Sequence, residues 1–147
     1  MTAEQMWKNY TAEHPTNETY QAWAFCGGDE LGDELARLVL DGVKTATAGP
    51  LIAYRTAGEE PPKAGDLRIV LFDNGEAACI IRDTRVRLVP FCEVDARHAY
   101  LEGEGDRSLA FWRQVHREAF TPDYEEDGLP FDENGLCVLE EFEVVYR

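Results

Sequence analysis

The sequence has few basic residues for its size. Lysine and arginine together number 14 against 29 aspartates and glutamates, which gives a formal net charge of −15 at pH 7. Such a field repels polyanions unless a local basic patch overrides it, so the charge disfavours tight binding to DNA, to long RNA or to an anionic membrane. A nucleoside or a short RNA segment remains compatible with it.

The chain also lacks the sequence features of a membrane or secreted protein. Its first 20 residues contain no charged-then-apolar signal segment, and no apolar run reaches the length of a transmembrane helix. We therefore expect no membrane partner and a cytoplasmic location. The sequence leaves the oligomeric state open, with a dimer as one option.

Cysteine is sparse and widely spaced. Cys26, Cys79, Cys92 and Cys137 form no paired motif, which favours buried thiols over disulfides or a zinc site. No spacing of His, Cys and Asp predicts a metal site, and no glycine-rich phosphate loop is present. The sequence therefore predicts no metal and no other cofactor.

What is present is the composition of a folded domain. The chain has 147 residues, of which 44% are hydrophobic, and three tryptophans, enough for one domain with a sizeable core. Hydrophobic periodicity predicts an α+β fold with a single-layer sheet or a small barrel. The predicted helices are 2–13, 29–41, 93–102 and one that begins at Ser108; the predicted strands are 66–72, 76–88 and 136–146, with an extended segment in 17–28 and an acidic loop at 121–134.

The segment 41–49 places a lysine and two threonines among small residues. Gly42 suits a helix C-terminus, where a positive φ is often needed, and the small residues leave room around Lys44 and Thr47. Lys44 is then either a solvated lysine near a helix end or a dehydrated one that pairs with an acid or has a shifted pKa.

The segment 102–106 carries three acids and two glycines, more acids than a plain turn requires. On the predicted strand 76–88, arginines recur at positions that give the ribbon one basic edge. These are Arg82, Arg85 and Arg87. We interpret this edge as a solvated face, with a phosphate contact as the alternative.

Several segments, taken in order, resemble the ASCH family, whose members have a PUA-like fold. The resemblance is carried by 42–47, Gly65-Asp66, Pro90-Phe91, 98–106, Ser108-Leu109 with Trp112-Arg113, and 140–144. It covers most of the chain and implies one ASCH-like domain over 1–147, with 1–19 as an N-terminal helical extension and 20–147 as the core. The implied fold is a small antiparallel or mixed β-barrel flanked by helices.

The resemblance also implies a site. In the short bacterial ASCH proteins that hydrolyse acetylcytidine, the working residues resemble Lys44, Thr47 and Glu102 here, with Glu104 as a rival for the third. Those enzymes carry an arginine two places after the threonine, where this chain has Gly49. The implied function is a metal-free amidohydrolase of acylated pyrimidine nucleosides, and the alternative is an RNA-binding module or weak ribonuclease acting on single-stranded RNA.

Amide hydrolysis needs a nucleophile, a proton carrier and a group that stabilises an oxyanion. Thr47 offers a hydroxyl that Lys44 can assist, and Glu102 can protonate the leaving amine or position a water. A carboxylate near Lys44 favours a charged ammonium and Glu102 as the base, whereas burial favours Lys44 as the base, and the sequence leaves both open. The candidate substrate-binding residues are Glu104, Tyr54, Arg113 and Trp23. The two histidines near apolar helix faces, His98 and His116, are interpreted as core or rim residues.

Overall fold

The computed structural model describes residues 1–27 and 29–147 of the chain. Within these residues it contains five α-helices and five β-strands. The helices are α1 (Ala3–Glu13), α2 (Glu30–Leu40), α3 (Leu51–Ala57), α4 (Ala96–Glu102) and α5 (Leu109–Glu126). The strands are β1 (Tyr20–Ala24), β2 (Ala46–Pro50), β3 (Leu67–Leu71), β4 (Ala77–Pro90) and β5 (Leu136–Tyr146). None of the helices in the described part of the chain is long and apolar enough to cross a membrane.

The strands are hydrogen-bonded in the order β1-β3-β4-β5-β2. β1 runs parallel to β3, with Tyr20 opposite Leu67, whereas the β3–β4 and β2–β5 pairs are antiparallel. β3 and β4 form the hairpin expected from the turn at 73–75. The mixed sheet with its helices is an α+β fold, as hydrophobic periodicity predicted and as the resemblance to the PUA-like ASCH family implied.

The described chain divides into two compact units. The first consists of 1–43, 64–84 and 142–147. Thr2 begins α1 with a capping box, in which its side chain accepts from the Gln5 amide while the Gln5 side chain accepts from the Thr2 amide. The helix that begins at this cap buries Met6 and Tyr10 in an apolar cluster. The partners of these two residues in the buried part of that cluster are Leu67, Ile69 and Ile80.

The second unit consists of 44–63 and 85–141. Its core is an aromatic cluster built largely on α5, in which Trp112, Phe120 and Tyr124 are buried. These positions recur at four- and eight-residue intervals, so they share one face of the helix. Most of the candidate site residues lie in this unit.

One loop prediction is wrong. The segment 121–134 was expected to be an acidic loop, but α5 continues to Glu126 and contains Pro122. A proline inside a helix costs about 3 kcal/mol. Burial of Phe120 and Tyr124 on either side of Pro122 offsets this cost, because burying a large side chain contributes roughly 1.5–3 kcal/mol.

The short helix α3 was also not predicted, since the segment read only as small and apolar. The expectation of buried thiols is confirmed for Cys79 and Cys137, which are 0% and 1% exposed. It is wrong for Cys26 and Cys92, which are both exposed. Burial raises the pKa of Cys79 to about 11 and that of Cys137 to about 12, which keeps both thiols protonated near neutral pH.

Candidate functional site

Lys44 lies between the end of α2 and the start of β2. Gly42 has φ +77°, the conformation expected of a residue that ends a helix. The Thr45 amide donates to the Leu101 carbonyl at 2.8 Å, which ties this segment to the last turn of α4. The Lys44 side chain is 1% exposed.

The ammonium of Lys44 lies against two carboxylates from the acidic segment. Its Nζ is 2.9 Å from Glu104 Oε2 and 3.4 Å from Glu102 Oε1, and it is also 3.4 Å from the Glu102 carbonyl oxygen. The buried cation is therefore paired with charge that is distant in sequence but adjacent in space.

Glu102 is the centre of a polar network. Its side chain is 2% exposed and comes from the last turn of α4, one helical turn after His98. Its Oε2 accepts from Trp112 Nε1 at 2.5 Å and lies 2.7 Å from His98 Nε2, while its Oε1 lies 3.4 Å from His116 Nε2. Burial alone would raise the pKa of Glu102, but the charge of Lys44 and the hydrogen bonds from His116 and His98 hold it well below its usual range. The carboxyl is ionised.

Glu104 is the more accessible of the two acids, since 18% of its side chain is exposed against 2% for Glu102. It lies between Gly103 and Gly105, whose φ angles are +76° and +58°. A Cβ on Gly105 would lie 2.5 Å from the ring of Phe111, so this turn requires glycine for space as well as for its backbone angle.

His116 joins the network from α5. Its ring stacks on Trp112 with centroids 4.2 Å apart and an interplanar angle of 18°, and its Nδ1 lies 2.8 Å from the Trp112 carbonyl oxygen. The sequence analysis interpreted His98 and His116 as core or rim residues, which agrees with their burial. It did not predict that both rings contact the same carboxylate, Glu102. The available signal was the four-residue spacing of His98 and Glu102 and of Trp112 and His116, which places each pair on one helix face.

Thr47 does not take part in this network among the described residues. It is half-buried on β2, opposite Glu140 of β5, and its position three residues after Lys44 places it on the strand that leaves the cluster. Tyr54 of α3 lies over the same strand, since its ring would be 3.6 Å from a Cβ on Gly49.

The other two candidate substrate-binding residues have structural neighbours. Arg113 donates from one terminal nitrogen to the carbonyl oxygens of Cys92 at 3.1 Å and Val94 at 3.4 Å. Trp23 belongs to the first unit, where its ring packs edge-on against Phe25 at 4.5 Å.

The ligand atoms of Glu102, Glu104 and His116 lie within 4.8 Å of one another, close enough to share a metal ion. Lys44 Nζ, however, contacts both of these carboxylates. A divalent cation between them would meet the ammonium as a like charge a few ångströms away, an unfavourable contact in a buried site. The donor set therefore fits an ammonium ion better than a metal.

Comparison with known proteins gives a consistent result. The family model described as "ASCH domain" matches residues 21–146. The crystal structure of an ASCH domain from Lactobacillus crispatus JV V101 is 33% identical, with a TM-score of 0.90 over 98% of this chain and 94% of that one. Protein EF3133 from Enterococcus faecalis V583 is also 33% identical, with a TM-score of 0.87 over 97% of this chain and 87% of that one.

A more distant structure, the hypothetical protein PH0355, shares the fold alone. It is 17% identical, with a TM-score of 0.54 over 86% of this chain and all of that one. No curated protein matches the chain significantly.

Proposed function

The chain belongs to the ASCH domain family, and from this premise we propose that it is a metal-free hydrolase of acylated pyrimidine nucleosides, with acetylcytidine as the model substrate. The family as a whole is linked to RNA-binding and hydrolase roles. The substrate and the site residues are the proposal.

The observation that supports it is the buried Lys44 ammonium held between Glu102 and Glu104. Moving a charge out of water costs several kcal/mol per ion, and an apolar core of similar volume is often at least as stable. A buried cluster of ions beside an accessible carboxylate is therefore a candidate for chemistry rather than for stability alone.

The contacts suggest a division of roles. Glu102 is a poor base because its pKa is held well below the usual range, so its proposed role is to hold Lys44 in place. Lys44 is proposed to stabilise the oxyanion that forms on the substrate carbonyl. Glu104, the accessible carboxylate, is proposed to take the proton of the attacking water. Thr47, on the adjoining strand, is proposed to supply a hydroxyl that positions the acyl group.

We propose that a substrate approaches Lys44 from the side of Glu104. Lys44 is 1% exposed and its Nζ lies 2.9 Å from Glu104 Oε2, so a substrate carbonyl that contacts the ammonium has to replace that carboxylate oxygen. The same displacement would free Glu104 to accept a proton.

The test is an assay for release of acetate and cytidine from acetylcytidine, measured by chromatography. We expect turnover by the unaltered protein and a loss of about 10²- to 10³-fold in kcat for Lys44→Met, the range seen when one oxyanion donor is removed. Lys8→Met is the matched control, since Lys8 forms an exposed pair with Glu4 at the same 2.9 Å. Absence of turnover by the unaltered protein at any pH between 5 and 9 would reject the proposal.

A second candidate, binding of short single-stranded RNA, has one observation in its favour. Arg85 and Arg97 are exposed and both contact Glu141, Arg97 through two nitrogens at 3.0 and 3.2 Å and Arg85 at 3.5 Å. Glu141 thus has two basic partners on the surface of a strongly acidic chain.

Fluorescence anisotropy with a labelled short RNA tests this candidate. Binding through these arginines should weaken as salt rises and should be reduced by Arg85→Ala combined with Arg97→Ala, but not by Arg55→Ala on α3. Binding that the double variant leaves unchanged would contradict it.

A further inference from the structure

The ring of His116 is held so that both of its nitrogens face acceptors. Nδ1 lies 2.8 Å from the Trp112 carbonyl oxygen, which can only accept, so Nδ1 carries a proton. Nε2 lies 3.4 Å from Glu102 Oε1, and that carboxyl is ionised. The arrangement therefore favours the imidazolium, with a proton on each nitrogen.

The surrounding charges agree with this assignment. Burial alone would lower the pKa of His116, but the hydrogen bond to Glu102 and its charge, with smaller effects of the Trp112 carbonyl and Glu104, leave it raised. The groups that face the ring are thus two carboxylates and one carbonyl, and Lys44 contacts both of those carboxylates.

His116 also differs from the other members of the network in its access to solvent. Its side chain is 11% exposed, against 0% for His98, 1% for Lys44 and 2% for Glu102. Among the described members of the network, only Glu104 is more accessible, at 18%. Glu104 and His116 are close enough to contact one small substrate, because their ligand atoms lie within 4.8 Å of each other.

We propose that His116 is the general acid of this site, which donates the Nε2 proton to the leaving nitrogen when the acyl group is removed; this inference rests on the proposed deacylation. Neutral amine is a far better leaving group than an amide anion, so the reaction needs such a donor. Of the other N–H donors in the network, His98 is 0% exposed, and Lys44 is already assigned to the carbonyl oxygen.

The proton balance closes with these residues. Water attacks the acyl carbon while Glu104 takes its proton, and a C–O bond forms. The C–N bond then breaks as nitrogen receives the Nε2 proton from His116. The carboxylic acid product loses its proton to neutral His116, and Glu104 releases its proton to solvent. The net change is one acyl amide and one water converted to carboxylate, amine and one proton.

The inference predicts the sign of a pH dependence. The acid works only when His116 is charged, so kcat should fall as pH rises through the raised pKa of His116. That pKa lies above the ordinary histidine value near 6.5. The same titration should appear in the ¹⁵N chemical shifts of the His116 ring, because imidazolium and neutral imidazole nitrogens differ strongly.

The experiment compares the unaltered protein with His116→Gln and His14→Gln on acetylcytidine. His14 is the matched control, because its ring also stacks at 18° on the aromatic residue four positions earlier and its Nδ1 lies 3.3 Å from that residue's carbonyl, but it is exposed and belongs to the other unit. We expect His116→Gln to lower kcat by about 10²- to 10⁴-fold with KM little changed, the range of general acid–base catalysis, and His14→Gln to retain activity.

The outcomes separate the two proposals. An unaltered protein that does not cleave acetylcytidine overturns the proposed function. Cleavage that His116→Gln leaves intact overturns only the assignment of His116. If His116→Gln fails to fold, the pH dependence of the unaltered protein decides. A basic limb of kcat that coincides with the ¹⁵N titration of His116 supports the assignment, and a limb that does not coincide overturns it.

Discussion

Replacing Lys44 by methionine is the most direct test of the electrostatics of this buried cluster. The substitution keeps most of the side-chain volume and removes the buried ammonium that contacts Glu102 and Glu104. Removing one partner of a buried ion pair costs about 3–5 kcal/mol, because the other charge remains buried without compensation. Glu102 retains Trp112 and His98 as donors, so we expect the lower end, about 3 kcal/mol.

Two assays measure this loss: urea unfolding at several pH values, and thermal unfolding. For a chain of this size, about 3 kcal/mol corresponds to a fall of roughly 6–12 °C in the thermal midpoint. The pKa of Glu102 is depressed in the folded state, so its contribution to stability is present above the unfolded value near 4.3 and is lost as pH falls through the folded pKa. The difference between the unaltered protein and Lys44→Met should therefore be largest near neutral pH and shrink below about pH 4.

Lys8→Met serves as the control for removing a lysine from a Lys–Glu pair. Lys8 and Glu4 are 2.9 Å apart on α1, but their side chains are 71% and 72% exposed, so the unfolding midpoint should not change measurably. A Lys44→Met protein as stable as the unaltered one, with the same acid limb, would show that the ammonium does not keep the buried carboxyl ionised.

Three further substitutions test the structure around the site. Trp112→Phe keeps an aromatic ring but removes the indole donor to a buried carboxylate, and should lower the free energy of unfolding by about 1–3 kcal/mol in urea melts; no loss would mean that this hydrogen bond is unimportant. Gly105→Ala should lower the free energy of unfolding by about 3 kcal/mol, because a Cβ at this positive-φ position meets an aromatic ring at 2.5 Å. Gly58→Ala, at a positive φ but with open space around it, should lower it by only about 1 kcal/mol. Equal losses would contradict the steric reason. Tyr124 lies beyond the proline of α5, and Tyr124→Ala should lower the free energy of unfolding by about 3 kcal/mol, measured by thermal unfolding. A loss below about 1 kcal/mol would indicate that this segment is the loop that the sequence predicted.

Local signals in the sequence were sufficient for much of the fold. The Thr2 capping box, the Asp29 cap of α2 and the Ser108 cap of α5 each bond a backbone amide within three residues, so the helix starts could be predicted without knowledge of the partners. The strand β5 was predicted with its observed ends. The continuation of α5 past Pro122 was not predictable, because it depends on what Tyr124 packs against in the folded unit.

For the candidate site, the sequence by itself determined the residue types and their local spacing: a lysine after a helix end, two acids separated by glycine, and histidine and tryptophan in four-residue registers on α4 and α5. Helix geometry needs no other part of the chain to place such pairs on one face. Only the tertiary structure decided that these faces meet at one carboxylate, Glu102, and that Thr47 stays outside its hydrogen bonds. The physical reason is that charge pairing and burial depend on distances across the fold, and those distances set which carboxyl is ionised, which histidine is charged and which groups a substrate can reach.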